Sequence, residues 1–511
     1  MIDQLKPLVV VLTLALIAFA LAKPICLRFM EPQAFDRRRM VWLAVTCAAF
    51  AAPSLWIFAA FALPLVYWAG SVDRHPTALY VLLLLTVPPA RLPIPMPLIN
   101  QLFELSVFRI LELALLVPAA LRIVRAGAAG GSGLARTDVL LLAFGALQLV
   151  LYMPYESITN TMRRAFLFAL DTYALYFVFS RGASNWAALR DTMASFWLAC
   201  AVLAPIAILE SLKGWLLFTG IPARWGVPNT FSWLFRGDSL RAQASAGHSL
   251  TLGYLFAIAF GFWLYLGGRL ESKRSAWMVG IVMWLGLFAA YSRAPWLVAA
   301  IVGCIYMLVS PAGRRGLVRA VIGLSVIAVP FSMTPQGARM IDTLPFIGTA
   351  DQSNVEYRQQ LATLSWQLIK QNPFFGNPFA ANYMEDLRQG QGIIDIVNTY
   401  ASVSLFYGLV GCALFVGCFV YPVTRCVLAM RAGRGHDIDH LNLGVALVGC
   451  MVGTLLMMAT ASFGTSFEQL SWILAGLCSA YATAMAGQWA PQADPVINAP
   501  RYAGSALKQS R

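Results

Sequence analysis

The stretch Thr399-Tyr-Ala-Ser-Val-Ser-Leu-Phe-Tyr-Gly-Leu-Val-Gly-Cys-Ala-Leu-Phe-Val-Gly-Cys-Phe-Val-Tyr-Pro422 decides the fold class, because no charged side chain interrupts it. A hydrocarbon core about 30 Å thick is crossed by roughly 20 apolar residues wound as a helix. Inside that core every backbone amide must be satisfied by the chain itself, which a helix achieves within one segment. Comparable runs occur at 5–22, 40–69, 77–89, 104–122, 138–154, 164–180, 190–210, 249–268, 275–291, 294–310, 317–333, 441–462 and 468–487. Residues 40–69 read as one long helix or as a pair broken around Pro53. Residues 77–89 are short, end in Pro88-Pro89, and read as a re-entrant piece packed against protein. The expected class is all-α, a polytopic transmembrane helical bundle of about 12–15 spans.

Composition agrees with that class. Of 511 residues 59% are hydrophobic and 12% charged, with a mean hydropathy of +0.68. A soluble domain has no need of so much apolar surface. The net charge of +14 is carried by Lys and Arg clustered at span ends, so it points to anionic lipid rather than nucleic acid. The nine cysteines fall in apolar runs or in loops on the basic side, and no disulfide is expected. Residues 8–22 lack the basic leader of a signal peptide, despite Ala20-Leu-Ala22, and read as a retained span.

Basic residues in short loops set the orientation. Arg37-Arg38-Arg39, Arg122 with Arg125 and Arg136, Arg181 with Arg190, Arg269 with Lys273 and Arg274, Arg314 with Arg315 and Arg319, and Arg425 with Arg431 and Arg434 mark the inner side. Alternation then puts 211–248, the turn at 292–294, and 334–398 on the outer side. The domain reading is a membrane domain over 1–488, a first outer loop at 211–248, a large outer loop at 334–398, and a flexible inner tail at 489–511. The N-terminus falls outside and the C-terminus inside. In the large loop, Ser353 and Glu356 form a capping box, and Tyr357, Leu361, Leu364 and Leu368 lie on one stripe, opposite Gln359, Thr363, Gln367 and Lys370. This predicts an amphipathic helix on the membrane or the bundle, ended by Asn372-Pro373 and Gly376.

Arg236, Arg241, Arg293 and Arg358 face outward against the charge bias. Near lipid a guanidinium is costly unless an anion answers it, and its planar fork matches phosphate bidentately. Snorkelling, or pairing with Asp238 or Glu356, is the plain alternative for each. Glu112, Asp171 and Glu210 lie in or at the ends of apolar runs, where pairing with an arginine is expected. Trp215, Trp225, Trp233 and Trp296 read first as interface anchors, with Trp233 also a sugar-stacking candidate beside the outer arginines. The Gly435-His-Asp-Ile-Asp-His440 run has metal-ligand residue types but reads as solvated charge.

The order of motifs resembles the O-antigen ligase and polymerase family of envelope glycosyltransferases. Arg241-Ala-Gln-Ala-Ser-Ala-Gly-His248 before Gly253 is similar to the family's Arg…Gly-x-x-His/Pro lead into a helix. Tyr291-Ser-Arg-Ala-Pro-Trp296 resembles its Ser-Arg turn. Tyr357-Arg358 with Trp366 and Asn372-Pro-Phe-Phe-Gly376 resembles its Arg-led loop helix. Asn398-Thr-Tyr400 with Gly408-Leu-Val-Gly411 resembles its His-Asn-x-Tyr…Gly-Leu-x-Gly run, except that Val397 stands where the family has histidine. The resemblance covers about residues 135–485.

It implies a GT-C-like, metal-independent transferase without cofactor, working on the periplasmic face of the bacterial inner membrane. Its substrates would be an undecaprenyl-pyrophosphate-linked glycan and an acceptor glycan or glycolipid, among membrane lipids and beside other polysaccharide assembly proteins. Arg241, Arg293 and Arg358 would grip the pyrophosphate and His248 would be the base, with Asp395 an alternative. Arg236, Asp395, Asn398, Tyr400 and Trp233 would contact substrate. Polymerase is the leading expectation, ligase its rival, and a lipid-linked sugar flippase the reading from a different class.

Overall fold

The computed structural model describes residues 2–96, 99–128, 135–229, 231–236, 239–270, 273–314, 316, 352–388, 394–433 and 437–487. Helices dominate: α1 (Ile2–Cys26), α2 (Pro32–Ala51), α3 (Leu55–Val72), α4 (Pro76–Leu83), α5 (Val107–Leu111), α6 (Val117–Ala128), α7 (Arg136–Tyr152), α8 (Ile158–Phe168), α9 (Leu175–Gly182), α10 (Trp186–Lys213) and α11 (Gly220–Trp225). After them come α12 (Ser249–Gly267), α13 (Lys273–Ala289), α14 (Arg293–Val309), α15 (Gln352–Gln371), α16 (Thr399–Ala432), α17 (Ile438–Thr460) and α18 (Thr465–Gly487). Among the described residues, α1, α3, α10, α12, α16, α17 and α18 are long and apolar enough to cross a membrane, and the apolar parts of α13 and α14 are shorter. The chain is an all-α, multi-pass membrane protein.

α10 is the axis. Its residues from Asp191 to Ala204 are buried without a break, against α1, α4, α12 and α13. Asn185 starts it by accepting the Ala188 N–H, and Gly214 ends it with φ +60°, a left-handed cap that costs glycine little. The 40–69 stretch is a broken pair: Ser54 caps α3 directly after Pro53, and proline cannot continue α2.

Two sequence readings need correction. The 104–122 span begins as strand, not helix: β1 (Arg91–Met96) pairs antiparallel with β2 (Ile99–Ser106), and only after Ser106 caps α5 does helix begin. Only the end of β2, residues 104–106, falls within the expected span, where its apolar residues adjoin those of the helix that follows. Residues 77–90 are buried throughout, a half-length helix followed by turns and irregular chain. His75 meets Asp191 near the start of α10 and the Leu85 carbonyl accepts from Ser245 beside the end of α10, so this piece runs through the bundle from one end to the other and is not re-entrant. α5 runs into α6 through a π-helical turn, Glu112–Leu116, and α8 into α9 through another, Ala169–Ala174. Such turns add a residue and re-aim side chains. Here Asp171 meets Arg109 at 2.7 Å, the arginine pairing expected of it, while Glu112 instead accepts from Gln469 at 3.3 Å.

The loops grouped by their Lys and Arg lie together at one end of the bundle. There Arg38, 1% exposed, binds Asp73 at 2.7 Å and Asp191 at 2.6 Å, tying α2, the end of α3 and α10 together. Arg190 and Arg269 converge on Asp439, joining α10, α12 and α17. The 214–248 loop, the 290–292 turn, α15 and the 461–464 turn sit at the opposite end. Trp225 and Trp296 are not lipid anchors: each is buried and donates its indole N–H to a backbone carbonyl, of Ala52 and Leu287 respectively. The expected span at 317–333, most of the Gly127–Gly133 tract and the 489–511 tail lie outside the described residues.

Candidate functional site

The first half of the site is built from the loop between α10 and α12. Glu210, at the end of α10, is wholly buried, and its carboxylate accepts the N–H groups of Leu217 (2.9 Å), Gln243 (3.0 Å) and Ala244 (2.7 Å). Backbone donors, not the expected arginine, therefore answer this charge, and the carboxylate fixes both ends of the loop. A hairpin of β3 (Phe235–Arg236) and β4 (Ser239–Leu240) then delivers Arg241 to the turn between α13 and α14. Arg241 Nη2 donates to Ser292 Oγ at 2.6 Å, Arg236 Nη1 donates to the Tyr291 carbonyl at 3.1 Å, and the Ala242 N–H donates to the Ala289 carbonyl at 3.0 Å. Gly253 lets the turn close, since a Cβ there would stand 2.9 Å from Pro295. Ala244 (φ 42°) and Tyr291 (φ 43°) both hold left-handed backbone without being glycine. Strain of this kind, on the order of 1–3 kcal/mol per residue, persists only where surrounding contacts impose it.

The result is a crowd of guanidinium groups. Among the described residues no carboxylate pairs with Arg241 or Arg293, and the Nε of each is buried without a hydrogen-bond partner. Burial, with the charge of Arg236 adding to it, pulls the Arg241 pKa down to about 10. A site that disfavours its own cation is one that an anion would stabilise.

The second half comes from α15 and α16. α16 breaks at Gly408 (φ 68°, ψ −175°), and the N–H groups freed there are taken by the preceding loop: Leu409 donates to the Pro373 carbonyl at 2.7 Å and Val410 to that of Phe374 at 3.2 Å. Gly376 answers with φ 68°, and a Cβ on either glycine would lie within 2.6 Å of the other segment's backbone. The 372–376 and 408–411 motifs are thus the two sides of one joint. α15 packs Leu361 and Ile369 against Leu405 and Met384, which places the expected apolar stripe on the bundle side. The Ser353 side of its capping box lies outside the described side chains. Tyr357 donates to the Asp395 carbonyl at 3.3 Å.

The halves face each other across a cavity of about 320 Å³. His248, Asp395, Val397, Ser462, Phe467 and Pro89, the last from the end of the 77–90 piece, line it. Ser462 Oγ donates to Asp395 Oδ1 and orients that carboxylate. His248 caps α12 with its ring: Nδ1 accepts the Leu250 N–H at 3.2 Å. Its edge opens to the cavity, but the protein crowding the rest of the ring, followed by repulsion from Arg241, lowers its pKa, and the attraction of Asp395 only partly offsets this.

The expected site residues divide as follows. Arg236 and Arg241 join the turn that carries Arg293, and His248 and Asp395 share the cavity. Arg358 stands exposed on α15, one residue from Tyr357. Asn398 spends its side-chain oxygen on capping α16, at 3.1 Å from the Ala401 N–H. Tyr400 donates to the Leu455 carbonyl at 2.8 Å, inside the bundle. Trp233 is 56% exposed beside the hairpin. Sequence reasoning missed Ser462, which lies at the end of an apolar run without a motif, and the anchoring role of Glu210. Asp437, Asp439 and His440 do cluster at the basic end. Asp439 is already taken by two arginines, and His440 stacks on Trp186 with ring centres 3.7 Å apart.

Residues 278–416 match the family model described as O-antigen ligase. This stretch is similar to an O-antigen ligase domain. It runs from α13 into α16 and so includes the Ser292-Arg293 turn, Arg358, and both sides of the Gly376–Gly408 joint. Arg236, Arg241 and His248 precede the matched O-antigen ligase residues and reach them only through the contacts above. A comparison with curated proteins gave no match.

Proposed function

We propose that the chain is a polysaccharide polymerase, joining undecaprenyl-pyrophosphate-linked glycan repeats at the periplasmic face of the inner membrane. The observation that carries this reading is the pair of buried, unpartnered guanidinium Nε groups of Arg241 and Arg293, beside a cavity that holds a carboxylate and a neutral-leaning histidine. In such a transfer an acceptor hydroxyl attacks the anomeric carbon, the bond to the pyrophosphate oxygen breaks, and the leaving diphosphate takes the electron pair. Preorganised cations stabilise that developing charge without rearranging at the moment of reaction. Arg241 and Arg293 supply it, Arg236 shapes their turn, and Arg358 closes on the donor from α15.

The proton of the hydroxyl goes to Asp395 in this scheme, not to His248. A neutral imidazole whose Nδ1 accepts the Leu250 N–H carries its proton on Nε2, so the ring offers the cavity a donor. Asp395 is an acceptor already oriented by Ser462, and it lies two residues before Val397 on the wall where the family has histidine. His248 then donates to a sugar or phosphate oxygen.

The matched family is described as O-antigen ligase, which favours a second reading: transfer to a lipid A-type acceptor. Purified protein in lipid nanodiscs, given lipid-linked repeats with and without a lipid A-type acceptor, separates the two. Polymerase activity lengthens the donor glycan without the second lipid, and ligase activity requires it. Absence of any glycosyl transfer, with the fold intact, would overturn both.

A further inference from the structure

The polar face of α15 and the 380–387 turn enclose a groove of about 510 Å³. Gln359, Gln360, Gln367, Thr363, Glu356 and Asp386 line it over two leucines, and among the described residues no Lys or Arg does. Primary amides and carboxylates offer the paired donors and acceptors that neighbouring sugar hydroxyls need. Two carboxylates with no cation in the lining repel uronates and phosphates. Two exposed aromatics belong to the same two elements outside the groove lining, Trp366 on α15 with Lys370 over its ring and Tyr383 on the turn, and an aromatic face binds the apolar face of a sugar ring. The opposite side of α15 is locked by Leu361, Ile369, Met384 and Leu405, so the groove is preorganised. The same helix also reaches the cavity wall from its other side, because Tyr357 donates to the backbone carbonyl of cavity residue Asp395.

We infer that this groove is a saccharide track that holds an uncharged stretch of glycan beside the cavity. The inference rests on the transferase reading for its purpose, but its test does not need the chemistry. Full-length protein is applied to an array of neutral hexose and N-acetylhexosamine oligosaccharides and of oligogalacturonates. Neutral chains are retained over the galacturonates. The exposed double substitution Gln360→Leu/Gln367→Leu weakens retention about tenfold, as expected for two lost hydrogen bonds. Glu356→Gln/Asp386→Asn lifts the discrimination against galacturonates.

Retention of no glycan, preference for galacturonates, or indifference to both double substitutions overturns the track. If transfer is absent while retention follows the groove residues, the transferase reading fails and the track stands; if transfer depends on Arg241 but retention ignores the groove, the reverse holds.

Discussion

Arg241 illustrates how one side chain is committed by its surroundings. Its Nη2 is held by Ser292, its Nε is buried and unpartnered, and its pKa is drawn to about 10. Lysine keeps the charge but lacks the fork. Arg241→Lys is expected to reduce glycosyl transfer about 100-fold, the scale of losing one oriented donor to a developing anion, with a melting temperature close to the parent's. His248 gives a pH prediction. Its folded pKa lies below the ordinary value, so the unfolded chain binds the proton first, and stability declines as pH falls through about 6.5. Arg241 and Asp395 are the charges that act on the ring. Asparagine also caps helices, so His248→Asn should preserve α12 and flatten melting temperature between pH 7 and 5. An unchanged slope would assign the dependence to another group.

At the scale of elements, the joint between the α15 loop and α16 is the critical contact. Gly408 sits in a conformation open almost only to glycine, and a Cβ there would stand 2.1 Å from the Phe374 carbonyl oxygen. Gly408→Ala is expected to destabilise by on the order of 3 kcal/mol or more, read as a fall in the melting temperature of the solubilised protein. Gly253→Ala presses on Pro295 without a backbone penalty and should cost about 1–3 kcal/mol. The glycines, proline and arginines of these motifs were visible in the sequence because each residue type has few reasons to sit where it does. Their partners were not: nothing local says that Gly376 faces Gly408, or that Glu210 holds Gln243 and Ala244. Helix fails over 104–106 for a related reason. The short alternation Phe103-Glu-Leu-Ser106 at the end of the hairpin runs straight into the apolar helix that follows.

Across the whole molecule, the two ends of the bundle do different work. The basic end is cross-linked by ion pairs, of which Arg38 with Asp73 and Asp191 is buried and Arg269 with Asp439 is half-open. Removing Arg38 takes the bidentate cation from two buried carboxylates and leaves them only Arg37 and His75 as ion-pair partners, so Arg38→Ala should cost about 3–5 kcal/mol, whereas Arg269→Ala should cost under about 1 kcal/mol. Denaturant unfolding of both variants checks the ranking. Sidedness is testable with Trp233 and Ile438, 56% and 55% exposed at opposite ends. With the orientation proposed here, Trp233→Cys is labelled by a membrane-impermeant maleimide in cells whose outer barrier alone is opened, and Ile438→Cys only after lysis. The reverse pattern would place the cavity in the cytoplasm.

The sequence by itself determined the membrane class, most of the helices, the grouping of loops by charge, and the arginines that stand apart from the basic loops. It could do so because lipid imposes length and polarity rules on each segment separately. Only the tertiary structure decided that the hairpin carrying Arg236 and Arg241 meets the turn carrying Arg293, that the His248 ring is spent as a cap, and that Asp395 and Ser462 face it across a cavity. Those outcomes depend on contacts between residues far apart in the chain, and packing, not local propensity, selects them.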